Sequence, residues 1–401
     1  MSSIAENWEL LSGEKNWEGL LDPLDLNLGR YLIHYGERAG AAGDAFIAEE
    51  KSKNCGLPRH AKKHFFSEVG LEYGNPFRYE VKTYFYATTN IKGGSGVYTV
   101  KSISREGAAG NSNFVGYVAV STEEGSRAMG RRDILIAWRG TKRNVEAQVD
   151  GVAVLFPASE ILGRKNNPMV HGGWYSLYTT AENGSKYNST SCRDQVLAQV
   201  RKLVDTYKEE EISITVAGYS MGAALATLSA ADITVNGYNK PTNGTSSCPV
   251  TVFAFASPRV GDGGFRQVVA DHGSDLHVLR IRNVKDPVPD TPYFGYADVG
   301  KELVVDACRS PYYKQSSNQY HDLEVYLHGV AGSHGGRGQG AFKLEVKRDI
   351  ALMNKWADAV RDEYEVVTHW WVAKNNSMVQ VEDGSWVLKD CEPDDDDDDH
   401  I

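Results

Sequence analysis

One stretch restricts what this chain can become more than any other. It runs from Ile212 to Ile233. Ile212-Ser213-Ile214-Thr215-Val216 alternates apolar and polar and is rich in β-branched residues, which predicts a strand. Gly222 to Ile233 is rich in Ala and Leu, which predicts a buried helix. Between them lies Gly218-Tyr219-Ser220-Met221-Gly222, a Gly-x-Ser-x-Gly turn with Ser220 at its apex. A turn this sharp forces its central residue into a strained backbone conformation. Side chains two residues to either side would collide, so glycine stands at both places. The helix start then aims backbone N–H groups at the space beside the serine.

The surroundings predict an α/β chain. Tyr84–Thr88, Phe114–Ser121, Ile134–Trp138, Val250–Ala256 and His277–Arg282 are short, apolar, β-branched or aromatic runs, hence strands. Asp194–Glu210 carries apolar residues at helical spacing with charges opposite. Strands alternating with helices predict a mostly parallel sheet covered on both faces, and the serine turn makes it an α/β-hydrolase fold. Residues 1–85 lack strand alternation. Asn27–Tyr35 and Ala39–Glu50 read as helices there, in an extension packed on the core. The expected division is a helical extension over 1–85, the α/β-hydrolase domain over 86–355, and a C-terminal extension over 356–401.

In that fold the serine is a nucleophile. It needs an imidazole to take its proton and a carboxylate to orient the imidazole. The partners follow in the order Ser, Asp or Glu, His. Asp286 lies where the strand 277–282 breaks, its backbone fixed by the adjoining Pro287 and Pro289, and is the first candidate; Asp262 is the second. His321 opens an amphipathic run and leads His328, His334, His369 and His400 as the base. Thr141 follows strand 134–138 directly, beside the mixed stretch Lys142–Pro157, which reads as a cover over the site.

Charge narrows the partners. The formal net charge is −10, of which six units come from Asp394–Asp399, a solvated tail. A mildly acidic body argues against nucleic acid. No spanning helix and no signal peptide are expected. The five cysteines are irregularly spaced, which predicts free thiols in a reducing, cytoplasmic setting, without a metal site.

Four motifs in combination carry a resemblance: Trp138-Arg139-Gly140-Thr141, Gly218 to Leu228, Phe255 to Gly261 and Asn283 to Pro289. Together they resemble class 3 lipases. Leu20 to Leu26, Asn75 to Glu80 and Leu323 to Gly332 narrow the resemblance to the plant phospholipase A1 type II group. It implies hydrolysis of the sn-1 acyl ester of glycerophospholipids at a membrane or micelle surface, without cofactor or metal. It implies Ser220, Asp286 and His321 as the triad, and Thr141 with the Met221 N–H as the oxyanion hole, followed by a lid. The chain departs from the group at Tyr219 and Met221, where relatives usually have His and Leu. It also has Glu146 to Asp150 where they usually carry Trp. The competing expectations are a broader lipase or esterase on neutral lipids or galactolipids, and a non-enzymatic scaffold on the same fold.

Overall fold

The structure is a computed structural model that describes residues 4–48, 52, 54–88, 112–141, 153–333, 342–371, 378–380 and 386–388. His334, His400, Cys391, Glu146–Asp150 and the acidic run fall outside them. A seven-stranded sheet organises the rest. Its strands are β1 (Tyr79–Thr88), β2 (Ser112–Ser121), β3 (Arg132–Trp138), β4 (Ile212–Tyr219), β5 (Val250–Phe255), β6 (Leu276–Asn283) and β7 (Lys301–Val305). Spatial order follows chain order. The β1–β2 and β2–β3 pairings are antiparallel, and every pairing from β3 to β7 is parallel. This is the mostly parallel α/β-hydrolase sheet. β7 has no counterpart among the expected strands: its exposed, charged Lys301-Glu302 start hides the short Leu303–Val305 run.

Period-two alternation sorts the strand side chains into two cores. Ile134, Ile136 and Trp138 of β3, with Val250, Val252 and Ala254 of β5, enter one cluster. The helices on that side are α2 (Gly172–Thr179), α3 (Cys192–Thr206), α4 (Met221–Val235) and α5 (Gly263–Asp271). Leu135, Ala137, Phe253 and Phe255 point the other way, to α1 (Leu26–Asp44) and α6 (Leu323–Ala331). α4 is buried along nearly its whole length, which is why its sequence shows no polar face.

α1 corrects the reading of residues 27–50. The two expected helices are one, begun by Asp25, whose carboxylate accepts the N–H groups of Asn27 and Leu28 at 2.9 and 3.0 Å. Gly36 lies between the two expected helices. Its role is contact: a Cβ there would overlap Leu327 of α6. The helix ends at Asp44, where the chain turns back so that Ile47 N–H bonds Leu57. α1 is therefore one layer of the core, and the expected boundary at residue 85 falls inside β1. At the other end, Arg348 bonds Glu37 and Glu324, and Lys355 bonds Asp44. These ion pairs fasten residues 348–371 to α1 and α6. Among the described residues no helix is long and apolar enough to cross a membrane.

Candidate active site

The parallel strands end at one edge of the sheet, and each contributes something there. β4 delivers Ser220 at φ 56° and ψ −127°, a conformation that L side chains resist. The turn persists because its neighbours over-determine it. A Cβ on Gly218 would overlap the Gly222 carbonyl, and one on Gly222 would overlap that of Trp138. Ser220 N–H is tied to Phe255 O at 2.9 Å, pinning the apex to β5.

Asp286 follows the end of β6. It is 1% exposed. One carboxylate oxygen accepts the Val288 N–H at 3.0 Å, and the other accepts from both His321 Nδ1, at 2.6 Å, and the Tyr326 hydroxyl, at 2.5 Å. His321 Nε2 stands 2.9 Å from Ser220 Oγ. The imidazole thus spans from carboxylate to hydroxyl. With Nδ1–H donated to Asp286, Nε2 carries the lone pair toward the serine, the tautomer needed to accept its proton.

Three residues hold His321 in place. Asp322 caps α6, accepting the N–H groups of Glu324 and Val325. His321 accordingly precedes the cap and stands on the loop, one step earlier than the expected first helical turn. Asn283 donates to Tyr320 O at 3.0 Å, and the Tyr219 hydroxyl donates to His321 O. The departure at Tyr219 thus has a local purpose here, since its ring lies 5.2 Å from the imidazole. Burial, and then the Asp286 carboxylate, hold the Tyr326 phenol well above its usual range, so it remains a donor. For Tyr219 burial comes first, then Asp322 and Asp286, with the same result.

The other candidates stand elsewhere. Asp262 caps α5, accepting Phe265 N–H at 2.9 Å and Met169 N–H at 3.1 Å. His328 is buried in α6, with Nε2 2.6 Å from Ser310 Oγ and its ring stacked 5.1 Å from Phe342. His369 is exposed in the C-terminal segment. Thr141 is half-buried, three residues past the end of β3, on the edge where Trp138 pairs with Gly218. Met221 opens α4, where first-turn amides have no partner within the helix. Sequence reading missed Tyr326, Asn283 and the role of Tyr219. Tyr326 lies five positions beyond His321, an interval that no motif marks.

A cleft of about 420 Å³ opens over Ser220. Trp174, Met221, Pro258 and Val288 give it apolar walls, suited to a hydrocarbon chain. Trp174 belongs to Val170 to Tyr175, a stretch that is unassigned from sequence; His171 stacks on it at 3.9 Å. A larger hollow of about 560 Å³ opens at the opposite edge, by Ile212 and Pro249, away from the serine. No group of three or more metal-ligating side chains occurs among the described residues.

Comparison with known proteins agrees with this architecture. The family described as Lipase (class 3) matches residues 135–296. Phospholipase A1-II 1 of Oryza sativa subsp. indica is 46% identical over 98% of each chain. Phospholipase A1-IIgamma of Arabidopsis thaliana is 45% identical, covering 98% of this chain and 95% of its own.

The chain belongs to the class 3 lipase family, in its phospholipase A1-II group.

Among solved structures, a Rhizomucor miehei lipase propeptide complex aligns over 69% of this lipase and 67% of its own chain, at 18% identity and a TM-score of 0.43. The family match ends at residue 296, before His321.

Proposed function

We propose that this class 3 lipase is a phospholipase A1, hydrolysing the sn-1 acyl ester of glycerophospholipids through an acyl-enzyme. One observation carries the reading: His321 reaches Ser220 Oγ with one ring nitrogen and Asp286 with the other, at 2.9 and 2.6 Å. The phospholipid substrate is supported by the names of the relatives above. Ser220 attacks the ester carbonyl while His321 takes its proton. Asp286, with Tyr326 behind it, orients the imidazole and stabilises the imidazolium that forms. The tetrahedral oxyanion is received by the Met221 N–H and Thr141. His321 then returns the proton to the lysolipid oxygen as the C–O bond breaks. Water repeats the sequence on the acyl-enzyme and releases the fatty acid. The reading includes a peripheral encounter with a membrane or micelle from the cytoplasmic side.

The test is hydrolysis of phosphatidylcholine labelled at sn-1 or at sn-2, beside triacylglycerol and a galactolipid, with fluorophosphonate labelling of Ser220. Release of the sn-1 label with covalent labelling is expected. Preference for triacylglycerol or galactolipid would overturn the substrate. A folded protein that neither labels nor hydrolyses would show a scaffold.

A further inference from the structure

A net charge of −10 does not draw a protein onto an anionic bilayer, so a lipid-directed enzyme of this composition needs another way to hold a surface. One wall of the Ser220 cleft supplies it. Thr291 and Pro292 line the cleft, and the next two residues leave it as the tip of a loop. There Tyr293 is 63% and Phe294 92% exposed, the two most exposed large hydrophobic residues among those described. Ala153 lines the cleft as well, and the chain beyond it carries Val154 at 52% and Phe156 at 47% exposure. The two segments touch, Leu155 Cδ1 lying 3.3 Å from the Cβ position of Gly295. Tyr293 and Phe294 therefore stand as an adjacent exposed pair beside the cleft, while Phe156 alternates with Leu155 and lies against the Tyr175 ring at 5.0 Å. Lone exposed hydrophobics are ordinary; a pair of this kind bordering a binding cleft marks a contact surface.

The loop is held at both ends. Arg259 N–H bonds Thr291 O at 2.7 Å, Arg259 Nη1 bonds Asp290 O at 2.7 Å, and Ala297 N–H bonds Gly261 O at 2.8 Å. An aromatic tip on a fixed base can enter a lipid surface with little ordering cost. Three arginines at the base of the loop are paired: Arg259 and Arg280 with Asp298, at 3.0 and 2.5 Å, and Arg282 with Asp290 at 2.7 Å. Among the described residues, what the loop tip offers a partner is apolar area. A second copy of the chain seated there would stand beside the cleft that its substrate must enter, whereas a lipid surface brings that substrate with it.

We propose that Tyr293 and Phe294 form a rigid wedge that inserts into electrically neutral phospholipid surfaces and sets the Ser220 cleft against them. The proposal rests on the phospholipase reading for its purpose, and its test is separable from that reading. Full-length Ser220→Ala protein, which leaves lipid intact, is sedimented with unilamellar phosphatidylcholine vesicles at low and high salt. Binding that changes little with salt is expected, and Phe294→Ser should weaken it about ten- to a hundredfold, the scale of one aromatic side chain transferred from water. In the Ser220 form, Phe294→Ser should leave hydrolysis of a short water-soluble ester unchanged while lowering the rate on vesicles. No vesicle binding, binding abolished by salt, or binding indifferent to Phe294→Ser overturns the wedge. So does a sedimentation-velocity result in which Phe294→Ser only disperses a dimer. Failure to hydrolyse any phospholipid, with vesicle binding intact, would instead strike the functional reading.

Discussion

Asp133 and Asp286 are both buried and both accept from tyrosine hydroxyls, and they have different uses. Asp133, in β3, is fully buried under α1. One of its oxygens accepts from Tyr35 at 2.8 Å and Tyr79 at 2.5 Å, and the other from Ser213 at 2.7 Å and Thr215 at 2.8 Å. The Arg131 guanidinium lies 3.6 Å away, equally buried. Every partner is fixed by a strand or by α1, and none faces a cleft. Asp286 also has a tyrosine, Tyr326, but its other side-chain partner is an imidazole whose far nitrogen reaches a hydroxyl in an open cleft. A saturated buried carboxylate ties elements together; one that ends in a group able to exchange a proton with a ligand can do chemistry.

The contrast can be broken experimentally. The largest effect belongs to the cleft. Ser220→Ala should lower turnover by at least about 10³-fold in a protein with unchanged urea unfolding, because the covalent route is lost. More than roughly a tenth of the activity surviving would remove the serine from the reaction.

Asp133→Asn should do the reverse. Its neutral amide leaves the buried Arg131 charge uncompensated, at about 3 kcal/mol of stability, read as a lower urea midpoint. Turnover of the remaining folded protein on a soluble ester should stay within about threefold. A specific loss of turnover at unchanged stability would mean that the two aspartates are not separable.

Thr141→Val keeps shape and removes the hydroxyl. Its expected cost is about 10² in kcat with KM little altered, the scale of one oxyanion donor. An unaltered kcat would place that donor elsewhere.

Tyr326→Phe sharpens the comparison, since it removes from Asp286 what Tyr35 and Tyr79 give Asp133. A fall of about tenfold in kcat is expected from one lost hydrogen bond to a charged acceptor. A loss equal to that of Ser220→Ala would make the phenol part of the reacting unit and not a support for it.

The smallest effect is a pH dependence on the Asp133 side. His34 Nε2 lies 3.5 Å from the Tyr79 hydroxyl, and burial, with Arg38 and Arg131 nearby, holds its pKa well below the ordinary histidine range. The folded chain keeps it neutral, while the unfolded chain takes up a proton below about pH 6.5. Its contribution is therefore complete above that pH and declines as pH falls through it, by about 1 kcal/mol between pH 6.5 and 5.5. Urea midpoints at the two values should differ less in His34→Gln than in the parent. An equal difference in both would assign the acid sensitivity to other groups.

The amino-acid sequence by itself determined the strand, turn and helix around Ser220, because each requirement there is local. Only glycine fits at 218 and 222, and an all-buried helix shows as an unbroken small apolar run. It also determined the order in which Ser220, Asp286 and His321 occur, since each stands just beyond or before an element whose periodicity is legible. The sequence did not show that α1 runs unbroken through Gly36, because the reason is Leu327, nearly three hundred residues away in the chain. Nor did it show that Tyr326 donates to Asp286 or that Tyr219 holds the His321 backbone. Those contacts join different elements, and a hydroxyl has no periodicity to announce its partner. The different surroundings of Asp133 and Asp286 were likewise decided by the tertiary structure. Asp133 and Asp286 are the same side chain, and what separates them is which elements the sheet brings around each carboxylate and whether a cleft opens beside it.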